Sequence, residues 1–147
     1  MIYETKSGPL ELRFEEVTGF VFLVYPPGQI EADSAAIVIE ALTRRLAETG
    51  EPTFVLVDGR RLTGISSEAR KVFGGSAHDA PKSTRTQSYV SAFGGTVVYR
   101  TLSNLVIKAA AMLISTQTVM RLDADEAGSR AWLTEQRRAY LARNART

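Results

Sequence analysis

The sequence has no cysteine and a single histidine, His78, among 147 residues. Disulfides, thiolate nucleophiles and zinc–thiolate sites are therefore excluded, as is a metal site built from several histidines. No stretch approaches the ~18 to 20 uninterrupted apolar residues of a membrane-spanning helix. The start, Met1-Ile2-Tyr3-Glu4-Thr5-Lys6, lacks the basic end and apolar core of a signal peptide. A dominant charge is lacking too: eighteen Lys and Arg face sixteen Asp and Glu, for a net charge of +2. Fourteen of the eighteen cations are Arg, with acids interleaved almost everywhere. Only between Arg137 and Thr147 do four arginines stand without an acid. That tail has one aromatic, Tyr140, whereas a nucleic-acid surface concentrates charge and adds stacking platforms. It reads as a solvated helix end whose cations suit the negative pole of the dipole, and no nucleic-acid partner is expected. What remains is 44% apolar and 23% charged, the balance of one ordinary globular domain. The expectation is a soluble, cytoplasmic single domain over 1–147, with its core at about 10–138 and a basic helical tail over 137–147.

Apolar periodicity orders the chain. Leu10 to Glu15 alternates apolar and polar residues, as a half-buried strand does, and Phe20 to Tyr25 is a continuous apolar run. Together they predict a β-hairpin stopped by Pro26-Pro27-Gly28, with Tyr3 to Thr5 as a short edge strand. Asp33 or Ser34 then caps a helix to about Thr49, closed by Gly50. Thr53 to Val57 has the β-branched and aromatic content of a central strand. A polar segment, Asp58 to Ile65, leads to Ser66-Ser67-Glu68 and a short helix to about Phe73. Gly74 to Thr86 reads as a loop, Ser88 to Phe93 as a strand, and Gly94-Gly95-Thr96 as a turn. A helix is expected from about Thr96 to Leu113, a strand at Thr118 to Leu122, and a last helix from about Asp125 to Arg143, capped by Asp123 or Asp125. That helix has Ala127, Ala131, Trp132, Leu133 and Leu141 at its apolar positions. The order β-β-α-β-α-β-α-β-α implies an α/β fold: a four- or five-stranded mixed sheet packed with about four helices, its parallel strands joined by right-handed crossovers.

Two segments carry a family resemblance. The first is Phe54-Val55-Leu56-Val57-Asp58-Gly59-Arg60-Arg61-Leu62-Thr63-Gly64-Ile65-Ser66-Ser67; the second runs from Val119-Met120-Arg121-Leu122-Asp123 to Ala131-Trp132-Leu133. They resemble the STAS superfamily, which includes the bacterial anti-sigma-factor antagonists and related SEC14-type domains. In the antagonists a strand ends in Asp, and eight and nine residues later come an Asp and a phosphorylatable Ser opening a helix. Asp58, Ser66 and Ser67 hold those three positions here. Ser66 stands where the family has Asp, and Ala69 where it has Gly. The resemblance implies a STAS (SpoIIAA-like) topology over roughly Leu10 to Arg138 and a protein partner, such as a kinase-like anti-sigma factor.

Each candidate site also has a structural reading. Ser66 and Ser67 are N-cap residue types, because a Ser oxygen accepts an orphan N–H of the first turn. The same helix end favours a phosphate. Asp58 can tie down its following loop through backbone N–H groups, with Arg60 and Arg61 beside it to meet an acidic partner or an anion. Gly94-Gly95-Thr96 joins a strand to a helix and can approach an anion, but lacks the spacing of a phosphate loop or dinucleotide fingerprint. His78-Asp79 does not make a triad with Ser66 or Ser67, since adjacent His and Asp side chains rarely orient one another and no nucleophile elbow is present. Trp132 reads as core. The 96–113 helix has more apolar residues than one stripe needs, which points to deep burial, a homodimer interface or one wall of a groove for an apolar, lipid-like ligand. The composite reading is a non-enzymatic regulatory, protein-binding domain that needs no cofactor. A carrier or sensor of a small apolar ligand is the alternative, and a hydrolase comes last.

Overall fold

The structure, a computed structural model, describes residues 1–79, 88–94 and 118–145, with backbone alone at 74–79 and 118. The chain opens with β1 (Ile2–Thr5), β2 (Gly8–Glu15) and β3 (Phe20–Val24). These form an antiparallel meander, with Tyr3 opposite Leu10 and Leu12 opposite Leu23. After β4 (Gly28–Ile30) comes α1 (Ala32–Thr49), which leads to β5 (Thr53–Asp58) and β6 (Leu62–Ile65). Next are α2 (Ser67–Asp79), β7 (Ser88–Phe93), β8 (Thr118–Asp123) and α3 (Glu126–Asn144). The main sheet is six-stranded in the order β1-β2-β3-β5-β7-β8, with β3, β5, β7 and β8 parallel. It is mixed, as expected, but wider than the four or five strands anticipated.

Period-2 alternation sorts the sheet into two chemically different faces. One is aliphatic: Leu10, Val21, Leu23, Val55 and Val57 pack with Ala35 and Val38 of α1 and Ala69 of α2. The other is aromatic: Phe20, Phe22, Phe54, Leu56, Tyr89 and Phe93 pack under Leu133, Trp132 and Tyr140 of α3. Phe54 and Tyr89 stack with centroids 5.1 Å apart, and Tyr140 tilts onto Phe54 at 6.3 Å. Such pairs add roughly 0.5–1.5 kcal/mol beyond their buried area. β5 lies between β3 and β7 with all six residues buried, as a charge-free Phe-Val-Leu-Val run requires.

Several elements differ from the sequence reading. The polar segment after Asp58 contains β6, which pairs in parallel with β4 in a separate two-stranded sheet. Strands of three and four residues are too short to show a period. α2 does not stop at Phe73 but continues to Asp79 through Gly74 and Gly75. Each Gly costs about 1 kcal/mol in a helix, yet Val72 and Phe73 pack on the aliphatic core and α2 lies against α1. α1 starts at Ala32, before Asp33 and Ser34. Its N-cap Glu31 makes no side-chain cap, and the Asp33 carboxylate instead accepts from the backbone N–H groups of Lys6 and Ser34. Gly50 ends α1 in the left-handed conformation expected of it (φ 67°). On α3, Ala127, Ala131 and Leu141 are exposed and the buried positions are Ser129 and Leu133. Here a hydrogen-bonded serine occupies a position that an apolar pattern assigns elsewhere.

Three helices lie among the described residues; the expected 96–113 helix, with the dimer and ligand-groove readings drawn from it, lies outside them. No helix among the described residues is long and apolar enough to cross a membrane.

α3 is fastened to the β2–β3 turn by charge. Arg130 grips Glu15 with two hydrogen bonds of 2.9 and 3.0 Å, and its Nε donates to Glu126 at 3.0 Å. The Arg130 bonds hold the Glu15 carboxyl below its ordinary range; burial opposes this and Thr18 assists it. A carboxyl lowered in the folded state adds stability above its unfolded pKa of ~4.3, and that stability is lost as pH falls through the folded value. Glu15→Gln should therefore destabilise by about 1 kcal/mol at neutral pH, with the gap to wild type closing in acid, below about pH 4. Denaturant midpoints measured across pH check this; a gap that stays constant into acid contradicts it.

Candidate functional site

The carboxyl ends of the parallel strands lie in one row, with Val24, Asp58, Phe93 and Asp123 as successive neighbours. Asp58 and Asp123 thus end strands on either side of Phe93. Asp58 closes the loop that follows it. Its Oδ1 accepts from the Arg60 backbone N–H at 3.1 Å and from Arg60 Nε at 3.0 Å, while Oδ2 accepts from Arg60 Nη2 at 2.7 Å. Burial pushes the Asp58 carboxyl up, but the Arg60 bonds and the Arg60 and Arg61 charges outweigh it and hold the group below its ordinary range. The Arg60 guanidinium also lies over the Phe93 ring, 5.6 Å from its centre.

Gly59 ties the loop to β7, its N–H donating to the Phe93 carbonyl at 2.9 Å. Arg60 is committed to Asp58 and Phe93. Arg61 keeps an exposed side chain, and its carbonyl accepts from Gly28 N–H. Gly94 is buried just past the end of β7; Gly95 lies outside the described residues, as does the side chain of His78.

β6 carries the chain from that loop to α2. Pairing with β4 continues past Ile65, because Ser66 N–H donates to the Ile30 carbonyl at 3.0 Å. The two serines then divide their duties. Ser66 Oγ accepts from the Ala69 N–H at 3.1 Å, which makes Ser66 the N-cap of α2. Ser67 is the first helical residue, exposed, and its hydroxyl donates to Glu68 Oε2 at 3.1 Å. The Glu68 carboxyl is held below its ordinary range, first by its own backbone N–H, then by the Ser67 hydroxyl, with Lys71 and Lys6 adding favourable charge. No hydrogen bond joins Asp58 or Arg60 to Ser66 or Ser67 among the described residues; β6 stands between the two groups. The structure therefore resolves the candidates into a closed Asp58–Arg60 latch and an open Ser67.

A third polar group has no counterpart in the sequence reading. Ser91 Oγ donates to Asp123 Oδ2 at 2.9 Å and lies 2.8 Å from Ser129 Oγ, with all three residues buried. Arg121 pairs with the other Asp123 oxygen at 3.2 Å. Asp125, rather than Asp123, caps α3 by accepting from Gly128 N–H at 2.8 Å. A serine inside an apolar strand and another inside a helix were the available signal. Among the described residues no group of three or more His, Asp and Glu could hold a metal ion.

Neither a family model nor a curated protein matches the chain. Among solved structures it is similar to an uncharacterised Shewanella loihica PV-4 protein of the DUF3478 family, described as having a SpoIIAA-like fold. The match has a TM-score of 0.53 and 16% identity, and covers 84% of this chain and 91% of that one. The fold is SpoIIAA-like, the STAS topology that the two motif segments imply.

The division of labour between the serines makes a direct prediction. Ser66→Ala should cost about 1 kcal/mol by removing the cap, while Ser67→Ala should stay within about 0.5 kcal/mol of wild type. Equilibrium unfolding of both variants decides it; equal losses, or a larger loss at Ser67, would reverse the assignment of the cap.

Proposed function

We propose that the chain is a non-enzymatic, STAS-like regulatory domain that engages a protein partner at the amino end of α2, with Ser67 as the residue whose modification controls binding. The observation that carries this reading is the separation of cap from acceptor: Ser66 satisfies the helix end, so the exposed Ser67 hydroxyl has no capping duty. Ser and Asp are both favoured N-caps. Ser66 in place of the family's Asp therefore preserves the cap, and with it the placement of the acceptor. Ala69, in place of the family's Gly, is fully buried and packs in the aliphatic core. The Asp58–Arg60 latch serves this surface by fixing the start of the β6 connection, which supports a binding role over a chemical one. By the same resemblance, the partner is a kinase-like anti-sigma factor.

The electrostatics say how such a switch would act. A phosphate on Ser67 gains ~0.3 to 1 kcal/mol from an exposed helix N-terminus. It also meets the Glu68 carboxylate that its hydroxyl now contacts, with Lys71 one turn away to compensate. These terms are small and opposed, so modification leaves the fold intact and acts on the partner through bulk and charge.

The test is a quantitative pull-down of partners by wild type, Ser67→Ala and Ser67→Asp. Ser67→Asp should weaken capture by at least about tenfold, a loss of ~1.4 kcal/mol, with Ser67→Ala near wild type. Equal binding of Ser67→Asp and wild type to every captured protein would reduce Ser67 to a solvated helix residue.

A further inference from the structure

The ladder between β1 and β2 determines which backbone groups of β1 look outward. The Met1 amine donates to the Leu12 carbonyl, and Leu12 N–H donates to the Met1 carbonyl, each at 2.9 Å. Antiparallel partners alternate between hydrogen-bonded and non-hydrogen-bonded pairs. The register continues as Ile2 with Glu11, Tyr3 with Leu10, Glu4 with Pro9 and Thr5 with Gly8. Tyr3 and Thr5 therefore commit their N–H and C=O groups to β2, whereas those of Ile2 and Glu4 point away from the sheet. Pro9, which has no N–H to give, stands opposite Glu4, where this alternation needs no donor. The outward row ends at Lys6, whose N–H is taken by the Asp33 carboxylate at 2.9 Å. Among the described residues no hydrogen bond reaches the outward backbone groups of Ile2 or Glu4.

This edge has little of the usual protection. Residues 2–5 include no Pro, no Lys and no bulge, and Glu4 is their only charge. Met1 and Ile2 are 77% and 65% exposed, two of the largest apolar exposures on the described surface.

We propose that β1 pairs antiparallel with β1 of a second copy of this chain, with Tyr3 on the two-fold axis, joining two six-stranded sheets edge to edge. The outward groups themselves select this register. With Tyr3 on the axis, Ile2 faces the partner's Glu4 and Glu4 faces the partner's Ile2, and each pair exchanges two hydrogen bonds, four in all. Sliding one way sets Ile2 against the partner's Ile2 and moves Glu4 past the end of the partner's β1, so β1 against β1 keeps half the bonds. Sliding the other way sets Glu4 against the partner's Glu4 and offers Ile2 a Lys6 whose N–H is already bonded. In the favoured register each Glu4 lies across from an apolar Ile2, and the two Tyr3 rings meet on the aliphatic side of the sheet, where Tyr3 already packs against the core. An interface this short gives a weak, concentration-dependent dimer.

The chain has no cysteine, so a single introduced thiol reports the register. Tyr3→Cys places two thiols across the axis in a non-hydrogen-bonded pair, whose Cα separation of ~4.5 Å suits a disulfide. Thr5→Cys lies on the same strand and face but opposite the partner's Met1. Under a mild oxidant at about 0.1 to 1 mM protein, Tyr3→Cys should cross-link at least about tenfold faster than Thr5→Cys. Glu4→Pro removes only an outward N–H and fits an edge strand. It should keep the wild-type circular dichroism, sediment as a monomer, and abolish cross-linking when combined with Tyr3→Cys. Equal cross-linking at the two positions would overturn the proposal. So would a wild-type chain that stays monomeric at about 1 mM, a dimer that survives Glu4→Pro, or an edge that pairs only with added extended peptide.

Discussion

β5 is buried on both faces along all six of its residues, and most of the architecture follows from that constraint. A strand with no solvent-facing side needs a neighbour at each edge and cover above and below. β3 and β7 supply the edges, α1 and α2 cover the aliphatic face, and α3 covers the aromatic one. Because β5 fixes the row in which the parallel strands end, it also places Asp58, and through the Asp58 loop it places β6 and the first turn of α2. The helix end that presents Ser67 is thus supported by the most deeply buried strand rather than carried on a free loop.

The ionic groups divide along the same frame. Arg60 is spent on Asp58 and Phe93, Arg121 on Asp123, and Arg130 on Glu15 and Glu126. Arg60–Asp58 and Arg130–Glu15 close junctions between segments, while Arg121–Asp123 lies within β8 and Arg130–Glu126 within α3; all are structural uses of residues whose type alone suggests a ligand. Ser67 differs because Ser66 has taken the cap. A buried Asp123 with Ser91 and Ser129 then fastens the first turn of α3 to β7 and β8, next to the Arg130 that binds Glu15.

What the sequence made legible is what periodicity records. The Phe54–Val57 strand, the hairpin, the Gly50 stop and the start of α3 all rest on patterns longer than one turn or on strong punctuation. β4 and β6 escaped because three or four residues carry no period, and their pairing depends on chain segments brought together by α1. The end of α2 was misplaced because Gly74 and Gly75 read as a break, while the packing of Phe73 and of α2 on α1 overrode that preference. The Ser91–Asp123–Ser129 group was invisible for a different reason. Ser91 lies 32 residues from Asp123 and 38 from Ser129, and each member alone reads as an ordinary serine or a helix cap. At the candidate site, Asp58 and the two serines were legible by type and spacing, but only the geometry shows which serine is the cap and that Arg60 is already engaged.

Native-state hydrogen exchange tests the central claim, that the α2 end inherits its position from β5, most directly. The amides of Phe54 to Val57 should exchange only through global unfolding, and the capped Ala69 amide should be strongly protected, well above the outward amides of Ile2 and Glu4. Exchange of the β5 amides through local opening, or an Ala69 amide as labile as those of the β1 edge, would contradict it.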